Sequence, residues 1–292
     1  MQHENIGARA RMGALSHCLR RLHPRRRQDR LRTPYRRWRR CLTQSPLLWP
    51  LGPVERARLR RLSGDFLARK TFTGAGGMQL DDSMRLHIAT HACLLILRLD
   101  LDYYAGFHEI IVYPETFMVD YEEEDEFGLV HRVRRPLSGE AWEQGPVILA
   151  WRDIAPSGCP HDPGASVILH EFAHKLDMRN GAANGMPPPH PEMTREDWTR
   201  ALTAAYHALH ASLEDGEPGA IDPYAAEDPA EFFAVLTEVF FAAPERLRAH
   251  YPAVHEQFRR FYRQDPGARH PAAPQRPCGP GLDSEWRCPD CG

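Results

Sequence analysis

The sequence predicts an α+β fold, mostly helical with one small sheet. Three observations point there. Long stretches such as "PVERARLRRLSGDFLARKTF" (53–72) place Leu59, Leu62, Phe66 and Leu67 at helical spacing. Three short runs, "EIIVYP" (109–114), "LVHRVRR" (129–135) and "GPVILAW" (145–151), have strand length and composition. The remaining apolar segments, from residue 166 onward, return to helical periodicity.

The chain divides by charge. Its 292 residues carry a net charge of −2. Residues 1–44 hold 13 arginines against Glu4 and Asp29, a net +11; the other 24 bases and 37 acids leave residues 45–292 at −13. The first segment, with "RRLHPRRRQDRLR" and "PYRRWRR", shows no sustained apolar period and is expected to be a disordered extension. An arm of this kind can hold phosphates, but the acidic body repels them, so nucleic acid is expected as a partner only through the arm. Hydrophobic residues make up 42% of the chain, enough for a sizeable core.

Order is expected from near Pro46, in one domain spanning 45–266. After the 53–72 helix, "TGAGGMQL" leads to a second helix capped at Asp82 or Ser83 and running to about Leu99. The three strand candidates follow, with the acidic run 122–126 between the first two expected as a solvated loop. "SVILHEFAHKLDMRNG" (166–181) is the next helix, ended by Asn180-Gly181. An amphipathic helix from about Arg195 to Leu213 and two helices split at Pro244 complete the domain. From 267 to 292 the chain turns to Pro, Gly and Arg and is expected to be a disordered tail. No run of 18 apolar residues exists, so no membrane span is expected. Seven scattered cysteines make no disulfide framework and point to a reducing cytoplasm. Cys288-x-x-Cys291 with Cys278 looks like half a zinc ribbon without an evident fourth ligand.

The 166–181 helix carries the chemistry. His170 and His174 are four residues apart and project from one face, where two neutral imidazoles can meet one Zn²⁺. Glu171 stands beside them, placed to take a proton from a metal-activated water. The flanks "SVIL" and "FA" are apolar, so the rings are buried and need partners. A metal supplies them. A catalytic zinc needs a third protein ligand, and no HxxGxxH extension follows. His190, His207, His210, Glu227, Glu231 and Glu238 are the candidates. Glu231 is the best placed of them, although Asp228-Pro229-Ala230-Glu231 also reads as a helix-capping acid. Asp177 either anchors the outer nitrogen of a ligand or caps the next turn.

The stretches "GFHEIIVYP", "GLVH", "WEQGPVILAW", "HEFAHKLDMRNG", "IDPYAAEDPAEFFAVLTEVFF" and "FYRQDP" run in order from about Ser45 to Pro266. Through them the chain resembles the Mlc titration factor A family of zinc-dependent peptidases. The resemblance implies a zincin-like fold with a gluzincin site. By that match His170, His174 and Glu231 bind one zinc ion, Glu171 is the general base, and Tyr224 donates a hydrogen bond to the oxyanion or leaving group. It also implies aminopeptidase-like hydrolysis of a peptide or protein substrate. The alternative is a binding module that sequesters an Mlc-like transcriptional repressor. The sheet edge beside the active-site helix is expected to receive an extended substrate, with "GPVILAW" as that edge.

Overall fold

In the computed structural model, which describes residues 34–115, 117–124, 130–137, 139–141, 145–154, 166–216, 219 and 221–269, the chain enters through a helix. This helix, α1 (Tyr35–Gln44), lies inside the stretch expected to be disordered. Trp38, Cys41 and Leu42 form a narrow apolar stripe among exposed arginines, and Trp38 is only 3% exposed in the core. Ser45 then donates its hydroxyl to His91 Nε2 at 2.7 Å, while His91 Nδ1–H donates to the His87 carbonyl at 2.8 Å. The boundary expected at Ser45 is therefore corrected: the folded unit already includes α1. Trp38→Ala is expected to destabilise the protein by about 3–5 kcal/mol, the usual cost of emptying a buried aromatic site. A denaturant titration checks this; a loss under about 1 kcal/mol would detach α1 from the core.

Helix α2 (Pro53–Arg69) follows, with Glu55 in its first turn receiving the Gly52 N–H. Strand β1 (Thr71–Gly74) was not expected: Thr71 and Phe72 read as the end of α2, and Thr73 and Gly74 as the start of the following connection. Asp81 caps α3 (Asp82–Leu95) by accepting the Met84 N–H at 2.8 Å, one residue before the expected caps. Strands β2 (Glu109–Tyr113), β3 (Phe117–Glu124), β4 (Val130–Leu137), β5 (Gly139–Ala141) and β6 (Val147–Ala150) come next, then the short α4 (Trp151–Ile154). Strands β3 and β4 form a separate antiparallel ladder with Glu122 opposite Arg132. Glu122 to Glu124, expected in a solvated loop, thus belong to a strand.

The main sheet has the order β1-β2-β6-β5, with β1, β2 and β6 parallel and β5 antiparallel to β6. "GPVILAW" is therefore not the edge. Val147, Leu149 and Ala150 are fully buried, as expected of a strand with neighbours on both sides, and the edge on this side is β5.

Four further helices surround the site: α5 (Val167–Asp177), α6 (Arg195–Glu214), α7 (Pro229–Ala242) and α9 (Pro252–Tyr262), with α8 (Pro244–His250) between the last two. The expected pair split at Pro244 is a trio, because Pro252 breaks the chain a second time. Ala243 and Tyr251, each preceding a proline, take φ −140° and −132°, outside the helical region. The folded part runs on to Arg269, whose guanidinium meets Glu55 at 3.1 Å, past the expected tail boundary at 267. The expectations for residues 1–33, for the tail beyond Arg269 and for the Cys278, Cys288 and Cys291 trio lie outside the described residues. Among the described residues no helix is long and apolar enough to cross a membrane.

Two aromatic clusters hold the site helices from behind. On α5, Phe172 packs against Phe66, Tyr104 and Phe107 with ring centroids 5.2–5.8 Å away. On α7, Phe233 packs against Trp198, Phe258 and Phe261 at 5.5–6.4 Å. Each cluster is rooted one or two residues from a candidate site residue, so the polar faces of α5 and α7 are set by packing.

Candidate metal centre

Ser166 starts α5 by accepting the Leu169 N–H, and Gly181, at φ +134°, follows its final turn as expected. The helix is buried over most of its length, packed on α7, α3 and the β5–β6 end of the sheet. His170 and His174 face α7. Asp228 caps that helix, accepting the N–H groups of Ala230 and Glu231, which leaves the Glu231 side chain to cross to α5. The capping-box role considered for Glu231 is thus not the one its carboxylate takes.

Among the described residues, His170, His174 and Glu231 are the group whose ligand atoms converge, all within 4.8 Å. His170 Nε2 lies 2.9 Å from Glu231 Oε2 and 3.2 Å from His174 Nε2, which is 3.4 Å from Glu231 Oε1. The edges of a tetrahedral zinc site are about 3.3 Å, from bonds of 2.0–2.1 Å. Electrostatics favours a cation at this point. His170 Nδ1–H donates to Glu238 at 2.9 Å, so a neutral His170 turns a lone pair toward Glu231. Glu231 Oε2 approaches His170 Nε2 to 2.9 Å as an ion-pair contact outside hydrogen-bond geometry. Three donors aimed at a common point suit a metal ion better than a proton, and the residues fit zinc.

The ionisation of the side chains at this point reflects the same crowding. Burial pushes His170 down, but the Glu231 and Glu238 carboxylates outweigh it and hold the imidazole well above its ordinary value. Burial alone would raise Glu231; the two histidines hold it well below the carboxylate range. Glu171 is 5% exposed, and burial pushes it up to about 7, against the opposing pull of His170 and His174. A bound cation would act in the same sense as the histidines.

Tyr224 sits in a 3₁₀ turn, Pro223–Ala226, that packs on α7. Its ring lies 6.1 Å from the His170 ring and is 45% exposed. Partial burial and the charges of Glu231, Glu227 and Glu171 raise its phenol, so the hydroxyl keeps its proton.

The other ligand candidates fall elsewhere. His190 bonds the Phe261 carbonyl and pairs with the Tyr103 hydroxyl, His207 is exposed, and His210 packs on Tyr206. Glu227 is exposed near Tyr224. Glu238, considered as a ligand, stands behind His170, and its other oxygen receives the Ser166 N–H. Burial raises its carboxyl. Its spacing of seven from Glu231, two helical turns on one face, was the available signal for this role. Asp177 is fully buried, with Oδ2 accepting the N–H groups of Asn184 and Gly185, both at 2.7 Å.

A family model described as glucose-regulated metallo-peptidase M90 matches residues 19–263, beginning well before the expected start at Ser45. Mlc titration factor A of Salmonella arizonae is 46% identical over 226 residues, covering 77% of this chain and 89% of the relative. The proteins of the same name from Salmonella paratyphi B and Salmonella typhimurium are each 45% identical over 226 residues, covering 77% of this chain and 84% of the relative.

Proposed function

The chain belongs to the glucose-regulated metallo-peptidase M90 family, and from that premise we propose that it is a zinc-dependent, aminopeptidase-like peptidase. The observation that carries the proposal is the convergence of His170, His174 and Glu231 beside the buried Glu171. Zinc held by those three ligands would polarise a scissile carbonyl and lower the pKa of an attacking water to about 7.

The protein's own groups do the rest. Glu171 takes a proton from the water as its oxygen bonds to the carbonyl carbon. The same carboxyl then returns that proton to the departing amine as the C–N bond breaks, leaving a carboxylic acid and an amine. The protonated Tyr224 hydroxyl donates to the oxygen that becomes negative on the way. Glu238 keeps the His170 proton on Nδ1, so Nε2 remains a ligand. The edge strand β5, rather than β6, is the backbone an extended peptide would join.

The second proposal concerns partners. The relatives are named for the titration of Mlc, which favours capture of an Mlc-like transcriptional repressor by this chain as well. A reducing cytoplasm suits both roles, and Cys41 and Cys93 are buried free thiols. Treatment with a strong chelator is expected to abolish hydrolysis of unblocked peptides, with recovery on adding one equivalent of zinc per chain. Hydrolysis that survives complete metal removal would overturn the enzyme proposal. Repressor binding that persists in the inactive chelated protein would separate capture from turnover.

A further inference from the structure

Besides Glu231 Oε2, two buried polar atoms near the centre have no hydrogen-bond partner among the described residues: His174 Nδ1 and Asp177 Oδ1. They belong to residues three apart on α5, neighbours one turn along the same helix face. Both are sealed from solvent, where an unpaired donor and an unpaired acceptor are costly. His170 shows the complete arrangement, with its Nδ1–H donating to Glu238. When His174 gives Nε2 to a metal, its proton must sit on Nδ1, and it then needs an acceptor.

Asp177 also reaches the far side of the site. Its Oδ2 grips the N–H groups of Asn184 and Gly185. Gly185 has φ +75°, and a Cβ there would lie 2.3 Å from the Pro229 carbonyl oxygen. Glycine thus lets this loop rest directly on the first turn of α7, two residues before Glu231. Trp198 Nε1–H donates to the Gly185 carbonyl at 3.0 Å and closes the loop from the other side.

We propose that Asp177 is a positioning residue of the metal centre, orienting His174 through Oδ1 while Oδ2 braces the loop behind Glu231. One carboxylate would then set the relation between ligands on two helices. The proposal rests on the zinc-site reading of His170, His174 and Glu231.

Asp177→Asn tests it. The amide oxygen can keep the loop contacts, while the NH₂ group facing His174 favours the tautomer that blocks Nε2. Zinc affinity, by competition with a chromophoric chelator, is expected to fall about 10–100-fold. The visible bands of the cobalt(II)-loaded protein are expected to shift, and the metal-free melting temperature to stay near wild type. Zinc affinity and cobalt bands equal to wild type would overturn the proposal. So would an affinity loss matched by an equivalent loss of metal-free stability, which would assign Asp177 to folding alone. If the variant does not fold, NMR of the zinc-loaded wild type decides. A protected, deshielded His174 Nδ1–H supports the proposal, and one exchanging like free imidazole overturns it. A wild-type protein that binds no zinc would instead overturn the zinc-site reading, and this inference with it.

Discussion

Glu171→Gln is expected to bind zinc at wild-type stoichiometry and to lose about 10²–10⁴-fold in hydrolysis, the range for removing a positioned general base. The amide has the size of the acid and fills the same buried site, but it cannot take a proton from water. The three proposed ligands are untouched. Metal content and steady-state turnover on the same preparation check both halves of the result. Wild-type turnover would remove Glu171 from the mechanism. Stability supplies an independent check in the metal-free protein. Burial raises the Glu171 carboxyl to about 7, above its ordinary value of 4.5. Below the ordinary value it is protonated in both states and costs nothing. As pH rises from about 4.5 to 7 the unfolded chain ionises first, and this contribution to wild-type stability is lost. Gln has no such loss, so the stability of the variant relative to wild type is expected to rise across that window.

Glu231→Ala is expected to lower zinc affinity by more than the 10–100-fold typical of removing a ligand's outer partner. It reduces the proposed donor set to two imidazoles and removes one of the two carboxylates that hold His170 well above its ordinary value in the metal-free protein. Glu238→Gln should be milder, because it alters only the partner of His170 Nδ1 and leaves three ligands in place. Glu227→Ala should keep full occupancy. The order of zinc affinities across the three variants is the measurement. Full occupancy in Glu231→Ala with loss in Glu238→Gln would move the third ligand two helical turns along α7.

The helices that surround the site were legible because their signals are local. Thr194 caps α6 through Asp197 N–H and Asp228 caps α7, each a polar residue just ahead of an apolar period. The α5 helix stood out for a different reason: paired histidines and an acid within an apolar run are costly without a common partner. Strand β1 was hidden because four residues carry little pattern, and its place depends on pairing with β2, 38 residues on in the register Thr71↔Glu109. Helix α1 was masked by its arginines, since a stripe of Trp38, Cys41 and Leu42 gains meaning only against the surface it covers.

The amino-acid sequence by itself determined the α+β class, the helix that carries His170, Glu171 and His174 as candidate site residues, and the resemblance that named Glu231 and Tyr224. Those features rest on spacing along one helix or on matching motifs, and neither needs the rest of the chain. Spacing alone left the carboxylates of α7 open; the tertiary structure shows Glu231 crossing to the histidines and Glu238 behind His170, and it alone decided which strand is the edge. Glu231 and Glu238 are both acids on one face of α7, and helical periodicity treats them alike. The depth and angle at which α7 packs on α5 separate them, putting Glu231 against Nε2 and Glu238 against Nδ1 of the same ring. That packing is set by aromatic contacts such as Phe233 with Phe258, drawn from distant parts of the chain. A periodicity measured along one helix carries no record of them.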